Sequence, residues 1–488
     1  MACTASGQKE IIRPMTSLTG NNRILFFTAS TLFITTLVLS IITETYYLMA
    51  IPFAALLFQT GWNSFSLLFL FLVASIPFSA EVQLTESLGT DLPDEMLMLL
   101  VSLLFFFHLI NRRRDFFEMA WHPLVWLVLV SFCWSAISSG FSTYVVYSVK
   151  FLLAKSWYMV AFLAASFLVT NTKGELKRMA MTLAISMLAC TVIILVRHAI
   201  LGLSFADINN AVFPFFRNHV NYSALLVCTL PIWYGCWMLS PKVRKQISVI
   251  IVVLLFALFL SYARGAWLAL LVAVITGWLL MKKMILRTLL ITLMVAAIAV
   301  GWLVHDDQYL RFAPDQSTTI FHEDFKDHLV ATYEMKDLSA AERFYRWIAG
   351  VRMIPDHWLS GFGPGTFYHN YKPYAVPEFA TWVSDNEEHS TVHNYFLLTA
   401  IEQGIPGLVL LLLLVGSVFY YAQHLYHRVK DPFYRMGALV TGLIFSMILT
   451  LNLLSDLIET DKIGGLFFLC IAVLVIIDKK TGETALNV

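Results

Sequence analysis

The 488-residue sequence predicts an all-α polytopic membrane protein, with about 12–14 transmembrane helices and one large, partly helical loop domain. Three observations predict it. Hydrophobic residues make up 58% of the chain and charged residues only 13%, against about 25% charged in soluble domains. Apolar stretches near the length of a membrane-crossing helix recur from end to end. The short alternating segments and frequent turns of a membrane barrel are absent. The net charge of +1 names no class of partner, and no nucleic-acid partner is expected.

Residues 1–22 are polar and lack an apolar core followed by a small-residue cleavage site. They read as a cytoplasmic tail of a non-cleaved protein. The expected spans are 23–43, 45–60, 63–80, 95–111, 122–139, 147–170, 178–201, 219–239, 246–262, 264–280, 287–304, 393–421, 434–454 and 461–477. The turns at 43/45 and 262/264 are very tight, so twelve spans is the alternative to fourteen. Basic residues collect in alternate short loops: Arg112–Arg114, then Lys173, Lys177 and Arg178, then Lys242, Arg244 and Lys245. Lys282, Lys283, Arg287, Arg428, Lys430, Lys479 and Lys480 continue the pattern, which places both termini in the cytoplasm. Residues 479–488 form the second tail. Segments 81–94 and 202–218, the turn at Ala263-Arg264 and the long segment 305–392 then share the outer side.

The long segment is a small domain with 14 acidic and 7 basic residues. Ser339 and Glu342 have capping-box spacing and predict a helix over about 340–354. Phe344, Trp347, Val351 and Ile354 make its apolar stripe, and Arg343 and Arg346 share one face. Pro355 ends it, and GFGPGTF (361–367) follows. Those glycines lack the strand-turn-helix setting of a dinucleotide fingerprint, so they read as a turn or a backbone anion nest. Asp306-Asp307 and Glu323-Asp324 read as solvated faces before cation sites. Six scattered cysteines (3, 133, 190, 228, 236, 470) suit neither a disulfide framework nor zinc.

Arg217, Arg264, Arg343, Arg346 and His393 are far apart in sequence yet reach the same outer face. Arginine is always charged, and its planar fork of donors matches phosphate oxygens. Their convergence points to a lipid-linked phosphate or diphosphate. Asn221 lies one turn from Arg217, and Asn394 adjoins His393. Taken singly, each arginine also fits snorkelling to headgroups or pairing with loop carboxylates. His393 fits a general base and, equally, a capping or hydrogen-bonding group. His219 and His389 read as structural. Glu402 stands nine residues beyond His393, so a regular helix rotates it about 180° away and about 13 Å deeper. It belongs with Gly404-Ile405-Pro406-Gly407, where a proline permits a kink.

RNHVNYSALL, LSYARGAWLAL, RFYRWIAGVRMIPDHWLSGFGPGTF and HNYFLLTAIEQGIPGL stand in the order and spacing of the O-antigen ligase/O-antigen polymerase superfamily. The chain resembles that superfamily over roughly residues 210–410. The resemblance implies a fold like the C-type multi-helix glycosyltransferases, in the bacterial inner membrane, with the active site facing the periplasm. It implies a donor glycan on undecaprenyl diphosphate. Ligases pass the glycan to lipid A-core, and polymerases pass it to another lipid-linked repeat. The family's functional arginines map onto Arg217, Arg264 and either Arg343 or Arg346, and its histidine onto His393. The family's second motif commonly reads Ser-Arg-Gly, whereas here it reads Ala263-Arg264-Gly265, so a serine contact is missing.

This implied chemistry agrees with the residues. Breaking a sugar–diphosphate bond develops charge on the leaving group, which some enzymes neutralise with a divalent ion held by carboxylates. No convincing acidic ligand pair stands in a short outer loop near the first spans, and positioned arginines can supply the same stabilisation. No metal or cofactor is expected. Transfer would be a single in-line, inverting displacement, with His393 on the acceptor hydroxyl and Arg217 and Arg264 on the diphosphate. A lipid-linked glycan transporter or flippase is the reading from another class. It would need charge deep in its spans, where only Lys150 and Lys155 stand out. A sensor would need a cytoplasmic output domain, and the inner loops are too short for one.

Overall fold

A computed structural model describes residues 31, 34–36, 38, 39, 50–85, 88–312, 338–381, 384–386 and 389–486. The expected tail 1–22, most of the expected span 23–43 and the Glu323-Asp324 pair lie outside these residues. The chain divides into two compact units, residues 1–68 and 69–488. In the first, α1 (Ala50–Asn63) is an apolar helix on which Phe58 stacks against Trp62. α2 (Phe65–Ser75) follows.

The protein is an all-α polytopic membrane protein, and nine helices among the described residues are long and apolar enough to cross a membrane. Several begin where a side chain takes the first orphan backbone N–H groups. In α6 (Lys173–Ile200), Thr172 and Glu175 form a reciprocal capping box. Asn218 caps α7 (His219–Leu239), and Asp431 caps α13 (Pro432–Asn452). α4 (Pro123–Gly140) starts with proline at its first position, where no N–H is needed, behind a His122 cap. The tight turn at 262/264 is real. α8 (Arg244–Leu260) ends, Tyr262 takes a positive φ of 56°, and α9 (Arg264–Met281) begins. α7 and α13 are mostly enclosed, whereas the apolar window of α10 (Ile285–Val304) has no buried residue.

Several expectations need adjustment. The third apolar helix runs from Phe65 through a 3-10 turn to Phe78, close to its expected end at 80, and the expected outer segment becomes a hairpin, β1 (Ala80–Thr85) with β2 (Leu88–Leu92). α3 (Asp94–Ala120) runs nine residues past its expected end, because a charged but helix-forming stretch continues it and Arg114 pairs with Glu118 one turn on. α14 (Asp461–Leu486) likewise continues past the expected end of its span at 477. The loop-domain helix, α11 (Leu338–Met353), forms as expected, but its buried set is Ala341, Tyr345, Ile348, Ala349 and Met353. The expected stripe at 344, 347 and 351 is only half-buried. The helix is covered on more than one side, so a single-stripe rule misplaces its core. Nor does Glu342 serve as a cap: its carboxylate accepts from Arg346, Thr381 and Ser384.

Polar contacts define two ends of the second unit. At one, Asp478 of α14 receives His122 Nε2 (3.1 Å) and Arg428, and Lys173 pairs with Asp431. At the other lie the hairpin, α11 and the starts of α3, α7, α12 (Tyr395–Arg428) and α14. There Arg217 reaches Glu81, Lys462 reaches the Ser79 carbonyl and Thr391 reaches Asp456. α5 (Val145–Val169) contains a π-helical turn at Met159–Ala164, just below Lys155 and Tyr158, which point to this second end.

Candidate functional site

His393 sits immediately before α12, with φ of 52°, a conformation uncommon for a residue other than glycine. α11 holds the chain leading into it. Trp347 Nε1 donates to the Val392 carbonyl (2.9 Å), and Arg346 reaches the Thr391 carbonyl (3.5 Å). The imidazole keeps 31% of its side chain exposed, and its Nδ1 lies 3.9 Å from Asp456 Oδ1. Asp456 Oδ2 accepts from Thr391 Oγ1 (2.8 Å), and that same oxygen of Thr391 accepts the His393 N–H (3.2 Å). Burial foremost, then the charges of Arg343 and Arg346, push His393 down to about 3. Burial raises the Asp456 carboxyl. At 3.9 Å the two are neighbours short of a hydrogen bond, and the carboxylate does not outweigh burial and two arginines.

Arg217 occupies a second place at the same end. It opens onto a cavity of about 430 Å³ lined by Asn221, the Phe213–Phe216 turn, four residues of the hairpin and α3 start (Glu81, Thr90, Asp91, Glu95), Tyr158, Leu457 and residues 459–463. Its guanidinium grips Glu81 Oε2 through Nη2 (2.7 Å) and Nε (3.1 Å), with 71% of the arginine side chain exposed. The segment Leu453–Thr460 links the two places, because Asp456 faces His393 while Leu457, Glu459 and Thr460 line the cavity.

A third arrangement locks the loop domain to the bundle. α12 breaks at Gly404 (φ 70°, ψ −178°), and the freed backbone groups find partners on the loop 358–367. Ile405 N–H donates to the Trp358 carbonyl (2.7 Å). The carbonyls of Ile401 and Glu402 accept from Phe362 and Gly363 (3.0 and 2.9 Å). From α4, Ser138 Oγ also donates to Glu402 O, and Trp134 Nε1 to Gln403 O. The Glu402 carboxylate takes the N–H groups of Gly365 (2.9 Å) and Phe367 (3.0 Å). Irregular backbone at this depth is tolerated because protein satisfies it. The expected proline kink is therefore a docked break centred on Gly404, and the group that fills the glycine nest is the protein's own Glu402 side chain.

Residues 249–412 match the family model described as O-Antigen ligase. This O-antigen ligase segment supports membership of the O-antigen ligase/polymerase superfamily. No curated protein matches it. The family implies a glycosyltransferase-like membrane enzyme acting on a lipid-linked glycan. The matched segment of this O-antigen ligase relative holds Arg264, Arg343, Arg346, His393 and Glu402. Arg217 and Asp456 lie outside it.

The structure gathers His393, Arg343 and Arg346 into one neighbourhood and Arg217 with Asn221 into another. Arg264 starts α9 beside α13, where Gly265 faces Leu451, and does not line the Arg217 cavity. Arg346 is 6% exposed and spent on Glu342 (3.2 Å), so it holds α11 together. Asn394 Oδ1 caps α12 by accepting from Phe396 and Leu397. Lys155 pairs with Glu459 (2.9 Å). His389 stacks on Tyr368, and His219 bonds Asn209. Sequence reasoning missed Glu81, Asp456, Glu459, Asp461 and Lys462. The signal for the last four was a charged turn, SDLIETDK, between two apolar runs.

Proposed function

We propose that this chain is a ligase-type glycosyltransferase. It moves a glycan from undecaprenyl diphosphate to lipid A-core or a similar acceptor, at the periplasmic face of the bacterial inner membrane. The observation that carries the reading is His393, half-open at the bundle rim with Arg343 and Arg346 beside it and Asp456 behind it. A histidine pushed down to about 3 is neutral at physiological pH, so it accepts a proton readily in form but weakly in strength. Donor diphosphate near Arg343 and Arg346 cancels the charge that holds the imidazole down. The base then gains strength only when the donor is seated. The imidazole takes the proton of the acceptor hydroxyl, the hydroxyl oxygen attacks the anomeric carbon from the face opposite the diphosphate, and the carbon–oxygen bond to phosphate breaks. Inversion follows. Arg217 and Arg264 hold the leaving diphosphate electrostatically, and no metal is needed for that charge.

Arg217 is paired with Glu81, so a phosphate on this guanidinium competes with that carboxylate. Deleting the gene and resolving the surface glycan on a gel tests the reading. Loss of glycan from lipid A-core with long chains left on the carrier supports a ligase. A single repeat still on core supports the polymerase of the same superfamily, and long chains still on core sink both. Normal transfer by both His393→Ala and Arg264→Ala would overturn the mechanism.

A further inference from the structure

The Arg217–Glu81 pair is built from two loops far apart in sequence. Glu81 follows the 3-10 turn Ile76–Phe78 into β1, and Arg217 follows the Phe213–Phe216 turn into α7. The loops touch through the rings of Phe78 and Phe215, edge to face with centroids 5.8 Å apart. One ammonium ties them together. Lys462, the second residue of α14, donates from Nζ to the Ser79 carbonyl (2.8 Å) and to the Phe215 carbonyl. The same Nζ lies 4.3 Å from the centre of the Phe216 ring. Ser79 stands two residues before Glu81, and Phe215 two residues before Arg217. The clamp therefore acts at the root of both partners.

An ammonium suits this place. It carries three donors and no acceptor, so one group can serve two carbonyls from separate loops. The charges of Asp94, Asp91 and Asp461 act on it and offset the cost of its partial burial. Arg217, by contrast, has 71% of its side chain exposed, so where its guanidinium sits depends on where its backbone and Glu81 are held. We propose that Lys462 is a positioning residue for Arg217, holding the Phe213–Phe216 turn against the hairpin so that the guanidinium meets the cavity. The proposal rests on the reading that Arg217 holds the donor diphosphate. Lys462 also lines the cavity, so the rival account is that its own charge attracts the diphosphate.

The test is a double-mutant cycle on the full chain purified in detergent, with binding of farnesyl diphosphate as the readout. Arg217→Ala should weaken binding about tenfold. Lys462→Met keeps the stem and removes the donors. It should weaken binding about fivefold alone and add nothing in an Arg217→Ala background. If Lys462→Met does not fold, Lys462→Arg keeps the charge but replaces the ammonium with a planar fork. It should weaken binding about threefold, again only while Arg217 is present. An equal loss in both backgrounds overturns the proposal, in favour of direct attraction by the Lys462 charge or a general loosening of the fold. If the folded Lys462 variant binds like the parent while Arg217→Ala binds weakly, the proposal falls and the reading of Arg217 stands. If Arg217→Ala itself binds like the parent, that reading falls and takes the proposal with it.

Discussion

Glu402 and Asp461 are both carboxylates buried near the same end of the bundle, at 4% and 7% exposure. They differ in what they receive. Both oxygens of Glu402 take backbone N–H groups from the glycine loop, whereas Asp461 Oδ2 takes nothing. A buried carboxyl with both oxygens bonded is a fastener. A carboxyl held by a hydroxyl through only one oxygen fastens less. Burial and residue type alone would have ranked the two alike, and the donor count separates them.

The comparison breaks most sharply at the fastener. Gly361 has φ of 71°, and a Cβ there would fall on the Glu402 backbone. Gly404 has φ of 70°, and its Cβ would meet the Leu359 carbonyl. Gly361→Ala and Gly404→Ala should therefore abolish folded protein, as read by monodisperse yield in detergent. Glu402→Ala strands two buried N–H groups and should cost about 2–5 kcal/mol, measured by thermal melting. Glu402→Gln keeps one good acceptor and should cost less. By contrast Asp461→Asn should leave the melting temperature within a few degrees. If Glu402→Ala melts like the parent, the fastener reading is wrong.

His393 lies between these extremes, partly packed and partly open. His393→Ala should lower transfer by about 10²–10⁴-fold without loss of fold, in a purified transfer assay. The pH dependence has a definite sign. The folded pKa, about 3, is below the ordinary value near 6.5, so the unfolded chain binds the extra proton first. The contribution to stability is fully present above about 6.5 and is lost as pH falls toward 3. His393→Asn should flatten that limb of a stability–pH curve. In kinetics, the free-enzyme limb in kcat/KM should lie below the donor-bound limb in kcat, because seated diphosphate offsets Arg343 and Arg346. Asp456→Asn should shift these limbs by less than His393→Ala costs, since it acts through the ring it faces.

Much of the bundle was legible because the period and length of apolar runs are local properties. α7 falls on the expected residues, and α9 falls within one residue of them. The outer hairpin was not legible: its pairing is too short to stand out from a polar loop. The site was half legible. Arginines and His393 announce themselves by being expensive at a membrane. Whether an arginine is spent inside the protein, as Arg346 is on Glu342, depends on contacts that sequence spacing leaves open. Asp456 and Asp461 carried the weaker signal, because short acidic turns between spans are usually just solvated.

The smallest effect expected is also the most discriminating for Arg217. Its pairing with Glu81 is exposed on both sides, so Glu81→Gln should change stability by no more than about 1 kcal/mol. Its effect should appear in substrate affinity instead. If phosphate and Glu81 compete for the same guanidinium, removing the carboxylate charge should lower the donor KM a few-fold with kcat little changed, most clearly at low salt. Arg217→Lys should do the reverse, because an ammonium cannot reproduce the fork that now holds Glu81 through Nη2 and Nε. A Glu81→Gln protein with unchanged donor KM would mean that the donor never visits this arginine. Arg217 would then belong with Arg346, as a structural ion pair, and the diphosphate would have to be held at the His393 rim alone.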